Sequence, residues 1–190
     1  MPVASARILM VDDDPAIRTS MSLVLTALGY RVRSAVEGFS ALREISQEMP
    51  DILLSDLNMP GMSGFELLSV VRRRFPAIQT IAMSGAFYGN EVPDGVPADS
   101  FFQKGSGMDS LLKAIAVFSN RQLLARAEAP IWISQNGHDS SGEPYITMAC
   151  PECLRGYPLA LRNPISHISE TDCIYCGVSI QYAIAAAHCV

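Results

Sequence analysis

Short apolar runs and polar breaks alternate in a regular rhythm over the first two thirds of the chain. Ile8-Leu9-Met10-Val11 stops at Asp12, the pattern of a strand buried on both faces of a parallel sheet. Asp14-Pro15 then offers an N-cap followed by proline at the first helical position. Ile17, Met21, Val24, Leu25 and Leu28 follow at helical spacing, and Gly29 ends that helix. The alternation continues with a strand from Tyr30 to Ala35 and a helix marked by Phe39, Leu42 and Ile45 that ends before Pro50. A third strand, Ile52-Leu53-Leu54-Ser55, stops at Asp56, and Phe65, Leu67, Leu68, Val70 and Val71 mark a helix closed by Pro76. Thr80-Ile81-Ala82-Met83 is a fourth strand stopping at Ser84. Phe101-Phe102-Gln103 is a short fifth strand stopping at Lys104, and the last helix runs from Met108 to about Arg126.

Strict alternation of strand and helix predicts an α/β fold around a parallel sheet with right-handed crossovers. One segment breaks the rhythm. Between Ser84 and Phe101, Gly89, Pro93, Gly95 and Pro97 interrupt any apolar stripe, so a helix there is expected to be short, distorted or missing. After Glu128 the texture changes. Ile131-Trp132-Ile133 reads as a strand, Gln135 to Pro144 as a turn-rich stretch, and Tyr145 to Met148 as the partner strand. The pattern divides the chain into an α/β domain over residues 1–128 and a small β-rich domain over residues 129–190.

Composition narrows the function classes. Nearly half of the 190 residues are apolar and 17% are charged, which supports a buried core and excludes a disordered chain. No run approaches the ~18 apolar residues that span a bilayer, and the first residues lack a signal peptide's pattern. The expectation is a cytoplasmic protein with no membrane partner. Net charge is −5, and from Ala129 onward only Arg155 and Arg162 stand against five acidic residues. Neither half has the basic footprint of a nucleic-acid binder.

Candidate chemistry emerges where the strands end. In an open parallel sheet, sites form beyond the carboxyl ends of the strands. Asp12 and Asp13 follow the first strand, Asp56 the third, Ser84 the fourth and Lys104 the fifth. One aspartate after a strand is most often a cap or turn former; four such positions on one edge make a pocket. Carboxylates gathered there repel one another unless a cation sits between them. Mg²⁺ suits Asp12 or Asp13, Asp56 and the backbone carbonyl of Asn58. Asp56 can then act as nucleophile toward a phosphoryl group. Lys104 neutralises the transferring charge, and the Ser84 hydroxyl can hydrogen-bond the phosphoryl oxygens. Asp14 is better explained as a helix cap, and Arg72-Arg73-Arg74 as a solvated run favourable to a helix C-terminus.

Val11-Asp12-Asp13-Asp14-Pro15, Asp56-Leu57-Asn58-Met59-Pro60-Gly61-Met62-Ser63-Gly64, Met83-Ser84-Gly85 and Lys104 together resemble the receiver domain of two-component response regulators, over residues of about 7 to 127, a domain-sized length. The resemblance implies a flavodoxin-like doubly wound sheet of order 2-1-3-4-5. It implies Mg²⁺-dependent phosphotransfer to Asp56 from a histidine kinase or phosphotransfer protein. Such a protein is a signalling phosphoacceptor that catalyses only its own phosphotransfer and dephosphorylation. Ser84 and Phe101 match the family's switch pair. Two features depart from the family. Gly105 follows Lys104 where the family has proline, and the helix before Phe101, a face commonly used for homodimer or output contacts, is eroded.

All five cysteines lie after residue 149. Cys150-Pro151-Glu152-Cys153 and Cys173-Ile174-Tyr175-Cys176-Gly177 are two C-x-x-C knuckles separated by 19 residues, the spacing of a Cys₄ zinc site. Tyr157 to Leu161 and Val178 to Tyr182 can flank the knuckles as strands, an arrangement similar to a zinc ribbon. A unit of about 60 residues has a marginal core of its own, so the metal would contribute folding energy. Two disulfides, redox-active pairs and a rubredoxin-type iron site are the other readings, with zinc ahead of iron. Cys189, His188, His138 and His167 are not read as ligands, since four cysteines fill the shell.

The sequence thus favours a response regulator of two-component phosphorelay signalling. Phosphorylation at Asp56 would switch a contact with an unidentified output protein. The alternative is a transcription regulator whose ribbon binds nucleic acid, against which the acidic C-terminal part argues. A phosphohydrolase using an aspartate nucleophile would need a second acidic residue where Asn58 stands. A purely structural ribbon is the remaining reading.

Overall fold

The computed structural model describes residues 6–86, 96–116, 118, 130–133, 137–138, 144–160 and 168–184. Strands β1 (Arg7–Val11), β2 (Arg31–Ala35), β3 (Ile52–Asp56), β4 (Gln79–Ser84) and β5 (Ser100–Gln103) form one sheet in the order β2-β1-β3-β4-β5. Every neighbouring pair is parallel. This is the flavodoxin-like sheet that the alternation and the resemblance predict.

Each strand sends alternate residues to opposite faces, as the pleat requires. Ile8 and Met10 of β1 face a cluster with Met21 and Leu25 of α1 (Pro15–Ala27) and with Leu111, Ala114 and Ile115 of α4 (Met108–Ala116). Leu9 and Val11 face the other way, toward α2 (Gly38–Gln47) and α3 (Gly64–Arg74). The caps follow the sequence. Asp14 Oδ1 accepts from the backbone N–H of Ala16 at 2.7 Å and Ile17 at 3.4 Å. Gly29 sits at φ +94° just past α1, a left-handed position that favours glycine. The last predicted helix is seen from Met108 to Ala116, and its expected remainder to Arg126, apart from Phe118, lies outside the described residues. So does residue range 87–95, where the fourth helix was expected to erode; 96–98 carry no helix. No described helix is long and apolar enough to cross a membrane.

The C-terminal part contains β6 (Ile131–Ile133), β7 (Gly137–His138), β8 (Pro144–Ala149), β9 (Gly156–Ala160), β10 (Ser169–Asp172) and β11 (Ser179–Ile184). These form two three-stranded sheets, β7-β8-β9 and β10-β11-β6. One expected pairing is corrected. Ile131–Ile133 does not partner Tyr145–Met148 but joins β11 in parallel, with Ile131 opposite Tyr182. The reason is burial: Ile131 and Ile133 are both fully buried in the cluster that includes α3, which β6 touches.

The marginal core of the cysteine-bearing part is not left to itself. Ile131, Ile133, Ile146, Met148, Tyr157, Ile180 and Tyr182 belong to the same apolar cluster as Phe65, Leu67, Leu68, Val70 and Val71 of α3. Consequently every residue from Gly64 to Val71 is buried: the sheet covers one side of α3, and β6 and β8 contact it from the C-terminal part. Gly156 on β9 lies against the Phe39 ring of α2, with no space for a β-carbon.

Candidate functional site

The parallel sheet places one polar residue at the carboxyl end of each strand but β2. Asp12 follows β1, Asp56 ends β3, Ser84 ends β4 and Lys104 follows β5. The Lys104 ammonium lies 2.9 Å from Asp12 Oδ2 and 2.8 Å from Asp56 Oδ2. Carboxylate oxygens of Asp12, Asp13 and Asp56 lie within 4.8 Å of one another. Asp12 is fully buried and Asp56 is 4% exposed, whereas Asp13 faces solvent. Local hydrogen bonds hold the acidic loop in shape. Asp12 Oδ1 accepts from the Asp14 N–H at 2.9 Å. The Arg18 guanidinium donates to the carbonyls of Asp12 at 2.6 Å and Asp13 at 3.3 Å.

Electrostatics sharpen this picture. Burial pushes the Asp56 carboxyl up; Lys104 and the Asn58 N–H pull it down and Asp12 pushes it further up, and the balance stays raised. For Lys104, burial alone would lower the ammonium's pKa, but Asp56 and Asp12 outweigh it and the net direction is up. A protonated lysine beside three carboxylates leaves a surplus of negative charge at one solvent-facing edge, a donor set that suits a hard divalent cation with oxygen ligands.

The remaining predicted residues are also placed. Ser84 is 3% exposed, and its hydroxyl oxygen accepts from the Ala86 N–H at 3.1 Å. Phe101 is buried in the cluster shared with α2 and α3. Asp14 caps α1 and stands outside the acidic cluster. At the departure after Lys104, Gly105 turns the chain at φ +90°, and no cis peptide bond occurs among the described residues. The Lys104 N–H donates to the Ser84 carbonyl at 2.9 Å, which fixes the backbone of Lys104 without proline. In the Asp56 loop, a β-carbon on Gly64 would collide with the Asp56 carbonyl, so that position requires glycine.

The second cluster is built from two matching turns. Leu154 N–H donates to the Cys150 carbonyl at 2.9 Å, and Gly177 N–H to the Cys173 carbonyl at 2.8 Å. Each of these donors stands four residues after its cysteine and has positive φ, 58° at Leu154 and 72° at Gly177. The sulfurs of Cys150 and Cys176 lie 3.6 Å apart, those of Cys153 and Cys173 3.7 Å, and all four fall within 4.8 Å. A disulfide would hold two sulfurs at ~2.05 Å. A tetrahedron with metal–sulfur bonds of ~2.3 Å has edges of about 3.8 Å. The four thiols are free, and their spacing fits a tetrahedral ion. Burial pushes the Cys150 thiol up to about 12. At Cys173 burial also pushes up, but N–H groups of Tyr175 and Cys176 outweigh it and bring the thiol down to about 7. His138 lies on β7 rather than in a turn. His167, His188 and Cys189 lie outside the described residues.

One buried group has no counterpart in the sequence reading. Glu66, in the first turn of α3, is fully buried, and its Oε1 accepts from the Ala149 N–H beside Cys150. Its Oε2 has no hydrogen-bond partner among the described residues. Burial pushes this carboxyl up to about 8, with the Ala149 N–H pulling against it. Ser63 and Glu66 stand at capping-box spacing, and the Ser63 hydroxyl does accept from the Glu66 N–H at 3.4 Å. The carboxylate, however, turns to Ala149. The available signal was the apolar surround: Phe65, Leu67, Leu68, Val70 and Val71 encircle the helix, the pattern of a helix buried on all sides.

Comparison with known proteins agrees with this geometry. The family profile of the response regulator receiver domain matches residues 8–116. The chain belongs to that family of receiver domains. Transcriptional regulatory protein GlrR of Escherichia coli is 35% identical over 115 residues, covering 58% of this chain and 25% of GlrR. The chain thus matches only about a quarter of that relative's length. Chemotaxis protein CheY4 of Vibrio cholerae superposes with a TM-score of 0.55 at 30% identity, covering 60% of this chain and 98% of CheY4. Response regulator TrrA of Thermotoga maritima, solved in complex with Mg²⁺ and BeF, gives 0.54 at 29% identity, covering 59% of this chain and 97% of TrrA. TrrA has also been solved in complex with histidine kinase ThkA.

Proposed function

We propose that Asp56 accepts a phosphoryl group from the phosphohistidine of a sensor kinase or phosphotransfer protein, making this chain the receiving end of a phosphorelay. The observation that carries the reading is the Lys104 ammonium spanning Asp12 and Asp56 at 2.9 and 2.8 Å. It is supported by the TrrA complexes with Mg²⁺–BeF and with a histidine kinase. An Asp56 carboxylate oxygen attacks phosphorus. The new O–P bond forms as the P–N bond to the donor imidazole breaks, and the imidazole nitrogen keeps the electron pair and takes up a proton. Asp12, Asp13, Asp56 and the Asn58 carbonyl would hold Mg²⁺, which supplies charge neutralisation at the transferring oxygens. Lys104 neutralises the remaining charge, and the Ser84 hydroxyl donates to a phosphoryl oxygen. That new bond draws the β4–β5 edge toward Asp56, with buried Phe101 as the responding aromatic. Catalysis extends to the protein's own phosphorylation and dephosphorylation.

Cys150, Cys153, Cys173 and Cys176 hold one structural zinc ion, with iron the second choice, in a ribbon over residues 129–190 that follows a receiver over residues 1–128. The output is a protein–protein contact in the cytoplasm. A nucleic-acid output, as in relatives described as transcriptional regulators, is disfavoured by the acidic balance after Ala129. Incubation with Mg²⁺ and acetyl phosphate, read by intact-mass spectrometry, tests the central claim. One phosphoryl increment that disappears in Asp56→Asn is expected; an unmodified wild-type chain would sink it.

A further inference from the structure

The strongest unexplained group is Glu66, a buried carboxyl with one oxygen on the Ala149 N–H and the other without a hydrogen-bond partner among the described residues. Its two neighbourhoods are the two clusters. On one side, the Gly64 N–H donates to the Leu57 carbonyl at 3.1 Å, and Gly64 lies so close to the Asp56 carbonyl that no β-carbon fits. The first turn of α3 is therefore seated on the backbone of the phosphoacceptor. On the other side, Ala149 precedes Cys150 and pairs with Gly156 across the first knuckle. The Cys150 N–H donates to the Arg155 carbonyl at 3.1 Å to close that turn. The Ala149 N–H donating to Glu66 Oε1 joins the two closures.

We propose that the cysteine cluster is an allosteric input to the Asp56 pocket: a metal ion on the four sulfurs tightens Mg²⁺ and phosphoryl binding at Asp56, with Glu66 as the positioning residue. The proposal rests on reading the cysteines as a metal site. With the ion bound, the knuckle fixes the Ala149 N–H, and that donor fixes the first turn of α3. Without it, the turn slackens and the buried Glu66 carboxyl loses its donor, a costly state. The first turn of α3 then loosens together with the loop from Leu57 to Ser63. Ordering that loop must be met again when Mg²⁺ and the phosphoryl group bind, which lowers their affinity. Thermodynamic reciprocity makes the phosphorylated form hold its cysteine-bound metal more tightly by the same factor.

The test uses the full chain and three measurements: zinc stoichiometry by elemental analysis, Mg²⁺–beryllofluoride affinity by calorimetry, and zinc affinity by competition with a chromophoric chelator. Zinc-loaded protein should bind Mg²⁺–beryllofluoride at least about fivefold more tightly than zinc-stripped protein. Zinc affinity should rise by the same factor when beryllofluoride is present. On zinc-loaded protein alone, Glu66→Leu, which fills the seam without an acceptor, should weaken beryllofluoride binding several-fold while retaining one zinc. Glu66→Gln, which keeps an acceptor for the Ala149 N–H, should bind like wild type. Equal beryllofluoride affinity with and without zinc overturns the coupling, equal affinities in zinc-loaded Glu66→Leu, Glu66→Gln and wild type overturn the role of Glu66 in it, and both results leave the metal site standing. A chain that binds no zinc overturns the metal reading and the coupling with it.

Discussion

The two clusters differ in what positions their ligands. Asp12 and Asp56 sit at the ends of strands in a five-stranded parallel sheet, and Lys104, which follows the edge strand β5, is already seated on both. The cysteines sit in two short turns of a part whose apolar residues are shared with α3, and no lysine lies in that part. The acidic pocket is preorganised by the scaffold, so it would need no ion to assemble it. The cysteine site has two turns to close, and an ion held there would be part of what folds them. The two clusters thus differ in how much of their shape the surrounding fold supplies, and α3 lies between them.

The largest effect expected at the acidic pocket is all-or-none. Asp56→Asn should abolish phosphoryl uptake from acetyl phosphate while leaving the melting temperature near wild type, and Lys104→Ala should slow uptake by about 10²–10³-fold; both are read by intact-mass kinetics. At the cysteine site the effect falls on the fold. Cys150→Ser should lose its zinc and lower stability by several kcal/mol. Because the apolar cluster is continuous, calorimetry should show a single earlier transition rather than a ribbon melting ahead of an unaffected sheet. Two separate transitions would show the clusters to be independent.

Next is a pH dependence at the seam. Glu66 is raised from 4.5 to about 8. Its contribution to stability is therefore complete below about pH 4.5 and is lost as pH rises toward 8, on the order of a few kcal/mol. Glu66→Gln has no proton to release, so urea midpoints measured across that interval should lie on a flatter line than those of wild type. Smallest is Gly156→Val, whose side chain collides with the Phe39 ring. The cost should be about 1–3 kcal/mol, seen as a lower urea midpoint with phosphoryl uptake retained.

The receiver sheet was legible because each element carries its own period. β1 alternates Ile8 and Met10 against Leu9 and Val11, and Asp14 with Pro15 starts α1 where the pattern says. The acidic pocket was legible because a parallel sheet brings strand ends together whatever their separation in sequence. The cysteine pairs were legible from their spacing. The seam was not. Nothing local marks that Ile131 would lie beside Tyr182 rather than in a hairpin with Tyr145–Met148, since that choice is made by a helix more than 50 positions away. Glu66 stands at capping-box spacing from Ser63, and its burial depends on a strand 83 residues later. Only the all-round apolar character of α3 hinted at a second layer.

That second layer has a consequence for how the protein is made. The last residue of α3 is Arg74 and the first of β8 is Pro144. At about 5–20 residues per second, a ribosome needs several seconds to add the strand that covers the helix. During that interval the nascent chain carries a bare apolar face, and premature termination near residue 128 would leave it bare for good. Ribosomes stalled before and after the codon for Pro144 should therefore differ sharply in how much chaperone they recruit.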